Sequence, residues 1–230
     1  DSAVKANALK SDFIKNLSYE IRIPLQAINE YSRLIADCAD PGTKEYLRNF
    51  TDLIEHNSEL LTTIINDVIH LSELESDTMN VQRQLVSLRV LCRTVVETLR
   101  SRVKNPDLKI RLASNLPDIQ INSDQSRVQQ ILLNLLINAV KFTPKGTITL
   151  GYKVDEDKNE VNFYVEDTGI GINPENKEKI FERFVKLDSN TQGAGLGLTI
   201  SRMLARLLGG DLSLDTSYLG GARFVLSLPR

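Results

Sequence analysis

Four short stretches in the second half of the chain carry residue types whose spacing could do chemistry. The first is Asn134-Leu-Leu-Ile-Asn138-Ala-Val-Lys141-Phe142. On a helix, Asn134 and Asn138 fall one turn apart on the same face, with Lys141 a further turn on, so two amides and a cation project together from an apolar background. The second is Asp167-Thr168-Gly169-Ile170-Gly171, directly after a strand-like run, where a carboxylate acceptor meets a backbone bare enough for a flat ring to approach. The third is Ile180-Phe181-Glu182-Arg183-Phe184. The fourth, Gly193-Ala194-Gly195-Leu196-Gly197-Leu198, places glycine at every second position before a helix start, a shape suited to wrapping phosphates. Each stretch alone is common in proteins. Their order, and their placement on a helix, after a strand and before a helix, is specific.

Elements that could position these residues are legible in the apolar pattern. Phe13, Leu17, Ile21, Leu25, Ile28 and Ile35 fall on one helical stripe, and Leu47, Phe50, Ile54, Leu61, Ile64, Val68, Leu71 and Leu74 on another. Asp40-Pro41-Gly42-Thr43 separates them, so residues 1–76 are expected to form an antiparallel two-helix hairpin. A lone hairpin cannot hide its stripe, so pairing with a second copy into a four-helix bundle is expected. From 81 to 230 the pattern changes to α/β. Helices are expected over 88–103, 125–142 and 197–208, with another opened by Asn173-Pro174-Glu175 as cap, first position and acidic second position. Strands are expected over 108–112, 119–121, 147–154, 160–166, 211–215 and 222–228, with a polar turn at 155–159.

Bulk properties narrow the field. The 230 residues are 41% hydrophobic and 25% charged, ordinary for a globular protein, and the net charge of −2 argues against a nucleic-acid footprint. Cys38 and Cys92 show no metal-ligand spacing and read as reduced thiols, and His56 and His70 as surface residues of the second helix. No apolar run spans a bilayer, so membrane attachment is expected only through parts of a longer parent.

The four stretches resemble the N, G1, F and G2 boxes of the ATP-binding domain of sensor histidine kinases. Phe13-Ile14-Lys-Asn-Leu-Ser18-Tyr19-Glu20-Ile21-Arg22-Ile23-Pro24-Leu25 resembles their phosphoacceptor box. The resemblance implies a Mg-ATP-dependent phosphotransferase core, a homodimer through residues 1–76, a response regulator receiver domain as partner, and an inner-membrane sensor as the parent whose cytoplasmic portion this would be. It implies that Asp167 reads the adenine amino group, that Asn138 holds Mg²⁺ with Asn134 nearby, and that Lys141 and Arg183 meet phosphate charge. Phe142, Gly169, Gly171, Phe181, Phe184 and Leu196 would line the nucleotide. Gly193, Gly195 and Gly197 would hinge a lid kept short between 184 and 195, and Glu20 would be the general base. Gyrase-like relatives that hydrolyse ATP with water carry a glutamate base at the first N-box position. Asn134 cannot accept that proton, so vigorous hydrolysis is not expected.

One position departs from the family. The residue before Glu20 is histidine there and Tyr19 here. Helical geometry still aims position 19 away from the apolar stripe, and Pro24, which cannot donate to the Glu20 carbonyl, should bend the helix beside it. A phenol with a pKa of about 10 is neutral at pH 7 and a poor nucleophile beside an imidazole of pKa about 6.5. A histidine replaced to trap one state, a natural pseudo-kinase signalling through ATP-dependent conformation, and a phosphorylated tyrosine all stay open at this point.

Overall fold

The computed structural model describes residues 2–37, 44–76, 78–187 and 194–230. The turn at 40–43, Cys38 and Gly193 lie outside the described residues. The chain forms two compact units, Asp1–Glu73 with Lys186–Leu196, and Leu74–Val185 with Gly197–Arg230.

The first unit is built on α1 (Ser2–Ala36) and α2 (Lys44–Glu75). Tyr31 stacks on Phe50 with ring centroids 5.8 Å apart, and Ile64 and Leu71 are fully buried. The helix α1 runs unbroken through Pro24, which is itself buried. Leu25, expected on the buried stripe, is 46% exposed, and Ile14, Ile65 and Ile69 are exposed with it. The stripe is wider than one partner helix can cover, because apolar positions spread over more than the narrow seam of a helix pair.

The second unit opens with β1 (Gln84–Ser87), a strand whose four residues lack an alternating apolar signature and which the sequence pattern does not predict. It pairs antiparallel with β3 (Gln120–Ser123) in a two-stranded ribbon. Between them lie α3 (Leu88–Arg102) and β2 (Leu108–Leu112). After β3 come α4 (Gln125–Phe142), β4 (Gly146–Asp155), β5 (Glu160–Asp167), α5 (Gly197–Leu207), β6 (Asp211–Leu214) and β7 (Arg223–Pro229). The main sheet runs β2-β4-β5-β7-β6, with β2 and β4 parallel and every other pair antiparallel. The three shorter helices, α3 to α5, pack on this sheet. Their apolar positions recur at helical spacing; α4 buries Val128, Ile131, Leu132, Leu135, Leu136 and Ala139.

The expected helix after Asn173 is a single 3₁₀ turn, Pro174–Asn176. The cap is as read, with the Asn173 side chain accepting from the Glu175 amide at 3.0 Å. The three residues of the turn bury nothing, the next buried side chains being Ile180 and Phe181, and a helix this short has no packing to sustain it.

Asp67 lies half-buried on α2, where burial pushes its carboxyl up to about 6 from an ordinary 3.8. A carboxyl raised in the folded state prefers to be neutral there. Its stabilising contribution is complete below about pH 4 and is lost as pH rises through about 6. Asp67→Asn, which keeps the neutral shape, is therefore expected to stabilise the protein at pH 7.5 by ~1–2 kcal/mol, discounted for partial exposure, and to change little at pH 4. Thermal unfolding at the two pH values checks this. Equal stabilisation at both would contradict it.

Candidate nucleotide site

Period-two alternation along β5 turns Val161, Phe163, Val165 and Asp167 to the same buried side. The carboxylate that ends the strand is consequently only 4% exposed. A charge there needs hydrogen bonds, and it receives two: Oδ1 accepts from the Gly169 amide at 2.8 Å and from the Ala222 amide at 3.3 Å. Burial pushes the Asp167 carboxyl up, while those two amides and the Thr143 hydroxyl pull it down. Both amide bonds fall on Oδ1, so no backbone amide claims Oδ2.

Thr143, the residue that ends α4, sits beside this carboxylate with its Oγ1 buried and without an aligned hydrogen-bond partner among the described residues. A carboxylate oxygen that no backbone amide claims and a buried hydroxyl thus stand side by side at the end of α4. Gly169 lets the loop after β5 pack against that helix end. A Cβ there would lie 2.2 Å from the Phe142 carbonyl oxygen and 2.6 Å from Thr143 Oγ1. Gly171, with φ of +70°, turns the chain back in a conformation that favours glycine.

The helix α4 brings its polar face to the same unit. Asn134 Nδ2 donates to Ser201 Oγ at 2.8 Å, and a Cβ on Gly197 would meet Asn134 Oδ1 at 2.6 Å, so the first N-box amide is packed onto the start of α5. Asn138, one turn on, makes no hydrogen bond among the described residues and stays available. Lys141 is exposed and lies 5.7 Å from the Phe142 ring centroid. In the turn after Lys179–Phe181, Phe181 is buried edge-on to Phe224 and is covered by Arg202, whose guanidinium lies 4.6 Å from its ring centroid. Arg202 is held in turn by Glu178 and Asp211. Arg183 is paired with Glu75. Phe184 takes φ of +61°, a strained value for an aromatic residue. Gly195 and Leu196 are described, Leu196 fully buried.

In the first unit, Tyr19 is 54% exposed on α1, with the Arg22 guanidinium 5.7 Å from its ring centroid. Glu20 beside it is not free: Lys186 Nζ donates to its Oε1 at 2.5 Å. Sequence reading missed Lys186, Thr143 and Ser201. Thr143 was findable, as a hydroxyl closing a helix next to an otherwise apolar turn. Lys186 and Ser201 belong to no local pattern, and only the fold brings them to their partners.

Comparison with known proteins agrees with this architecture. Residues 9–77 match the His Kinase A (phospho-acceptor) domain, and residues 123–230 match the histidine kinase-, DNA gyrase B- and HSP90-like ATPase family. With an acceptor-type hairpin followed by an ATPase-type sheet, the chain belongs to the histidine kinases of two-component signalling. The autoinducer 2 sensor kinase/phosphatase LuxQ of Vibrio harveyi is 35% identical over 236 residues, which cover 99% of this chain and 27% of that protein. The circadian input-output histidine kinase CikA of Synechococcus elongatus is 32% identical across 99% of this chain and 31% of its own length. This chain thus spans about a quarter to a third of these curated relatives. Full-length ShkA, solved in complex with AMPPNP, is 34% identical with a TM-score of 0.69, over 95% of this chain and 45% of that one. ThkA, solved in complex with the response regulator TrrA, shares the fold with a TM-score of 0.75 at 22% identity, over 98% of this chain and 63% of that one.

Gly169→Ala is expected to cost ~1–3 kcal/mol, because the new methyl meets a backbone carbonyl rather than a flexible side chain. Ile170→Ala on the same loop, where the side chain is largely exposed, should cost less than about 0.5 kcal/mol. Denaturant midpoints of the two variants measure the contrast, and equal midpoints would contradict the close approach.

Proposed function

We propose that this chain is the catalytic core of a two-component sensor kinase that binds Mg-ATP and cannot pass phosphate through its acceptor position. The observation that carries the reading is the buried corner of Asp167, Thr143 and Gly169, where a carboxylate oxygen unclaimed by backbone amides, a hydroxyl beside it and a loop packed on the end of α4 coincide. That combination suits the amino edge of adenine. Asp167 Oδ2 would accept from the amino group and Thr143 would satisfy its hydroxyl on the same ring. Asn138, whose amide is uncommitted, would give Mg²⁺ one protein oxygen. No cluster of three acidic, histidine or cysteine ligands exists among the described residues, which suits an ion held mostly by phosphates and water.

Bound Mg-ATP would supply the transferable phosphoryl group; the chain's own residues orient and neutralise it. Lys141 is exposed on the polar face of α4 and would approach the phosphates as a point charge. Arg183 would exchange its bidentate-capable fork from the Glu75 carboxylate to a phosphate of similar geometry. Gly195 and Gly197 flank the start of α5 and would let the lid fold over. Glu20 would take the acceptor's proton after Lys186 lets go. A homodimer through residues 1–76 would cover the exposed Ile14, Leu25, Ile65 and Ile69. A response regulator receiver domain would be the phosphate's destination in a histidine-bearing version of the site, and the parent protein would be a membrane sensor.

Tyr19 decides the outcome. Its phenol is a weak nucleophile at neutral pH, and Glu20 is committed to Lys186 rather than to it. Tyr19 also favours a second reading, a pseudo-kinase that signals by ATP-dependent conformation alone. Incubation with γ-labelled ATP should leave this chain unlabelled, while Tyr19→His takes up acid-labile, base-stable label. Such label on the tyrosine-bearing chain, or none on the histidine variant, would overturn the proposal.

A further inference from the structure

The helix that carries Asn134, Asn138 and Lys141 begins at a residue with two tasks. An N-cap needs one oxygen to accept a first-turn amide, and serine, threonine, asparagine or aspartate can each supply it. Asp124 does so through Oδ1, which accepts from the Arg127 amide at 3.1 Å. Its second oxygen, Oδ2, accepts from the Gln82 amide at 2.9 Å, across 42 positions of sequence. Gln82 belongs to the segment leading out of α2, two residues before β1 begins. The ladder beside it pairs Gln84 with Ser123, and Arg83 Nη1 donates to the Asn122 carbonyl at 3.3 Å. Asp124 is 6% exposed. If the Gln82 amide left, a buried carboxylate would lose half of its side-chain hydrogen bonds, and water could not readily replace them. Displacement of the segment and disturbance of the first turn of α4 are therefore coupled through one side chain.

We propose that Asp124 is a positioning residue, a latch that fastens the segment after α2 to the helix bearing Asn134, Asn138 and Lys141. Its effect on phosphoryl transfer rests on the function proposed above; the latch itself does not. Only a carboxylate offers two acceptors with no donor, so the assignment makes separable predictions for two variants. Asp124→Ser keeps a cap oxygen for Arg127 but has nothing left to reach Gln82. Asp124→Asn keeps the volume but has a single acceptor for two amides.

Amide exchange followed by NMR on the whole chain without nucleotide is the test. In Asp124→Ser, Gln82 should exchange at least ten-fold faster with Arg127 unchanged. In Asp124→Asn, one of the two amides should lose protection, which keeps the question answerable if the serine variant does not fold. In a Tyr19→His background, Asp124→Ser should lower the labelling rate at least five-fold with KM for ATP unchanged, a split that general destabilisation would not produce. Unchanged protection at Gln82 would overturn the latch. A freed Gln82 with an unchanged rate, or rate and KM moving together, would overturn the positioning role. If Tyr19→His alone takes no label, the proposed function fails, and exchange at Gln82 still decides the latch.

Discussion

A carboxylate taken out of water must be answered by hydrogen bonds, and much of the second unit is arranged around one such answer. Asp167 is buried because it continues the inward series of β5, and it is tolerated because two loop amides converge on one of its oxygens. Meeting that need fixes the turn after β5 and ties it to the start of β7, since Ala222 also accepts from the Asp167 amide at 2.9 Å. It requires glycine at 169, where a side chain would strike the end of α4. The same arrangement leaves Oδ2 unclaimed by backbone amides and sets the Thr143 hydroxyl beside it, so the fold's solution for a buried charge is also where the proposed nucleotide would be read.

Around this point, the elements divide the work by rigidity. The carboxylate stands on the central strands of the sheet, and the amides stand on a helix whose opposite face supplies much of the core. The cationic groups stand on more exposed ground: Lys141 at the end of α4 and Arg183 in a strained turn, engaged with a surface carboxylate. In the proposed function, base recognition would need fixed geometry, whereas charge neutralisation of a moving phosphoryl group would need reach. Arg202 links the two regimes, because it packs over Phe181 while its guanidinium is held by Glu178 and Asp211.

Much of this was legible in the residues and some of it could not be. Regular apolar spacing identified the long helices, α4 and the strands from β4 onward to within a residue or two, since burial imposes a period the side chains must obey. It failed at β1, where only Val86 of the four residues is buried, Leu85 is exposed, and pairing with β3 is a long-range event with no local trace. It also failed after Asn173, where a sound cap opens only the 3₁₀ turn Pro174–Asn176, and the next buried side chains are Ile180 and Phe181. At the candidate site, Asp167, Gly169 and Asn138 stood out in the sequence because residue type and immediate neighbours alone single them out. The ties from Asn134 to Ser201, Glu20 to Lys186 and Asp124 to Gln82 span from 42 to 166 positions, and only the folded chain specifies them.

The central claim is that the Asp167 corner recognises ATP even though the acceptor is a phenol. Calorimetric titration of Mg-ATP into the chain and into Asp167→Asn tests it most directly. The account predicts saturable binding to the chain that weakens by about 10- to 100-fold in the variant, the cost of turning one open acceptor into a donor against the adenine amino group. No binding to either protein, or equal binding to both, would contradict it.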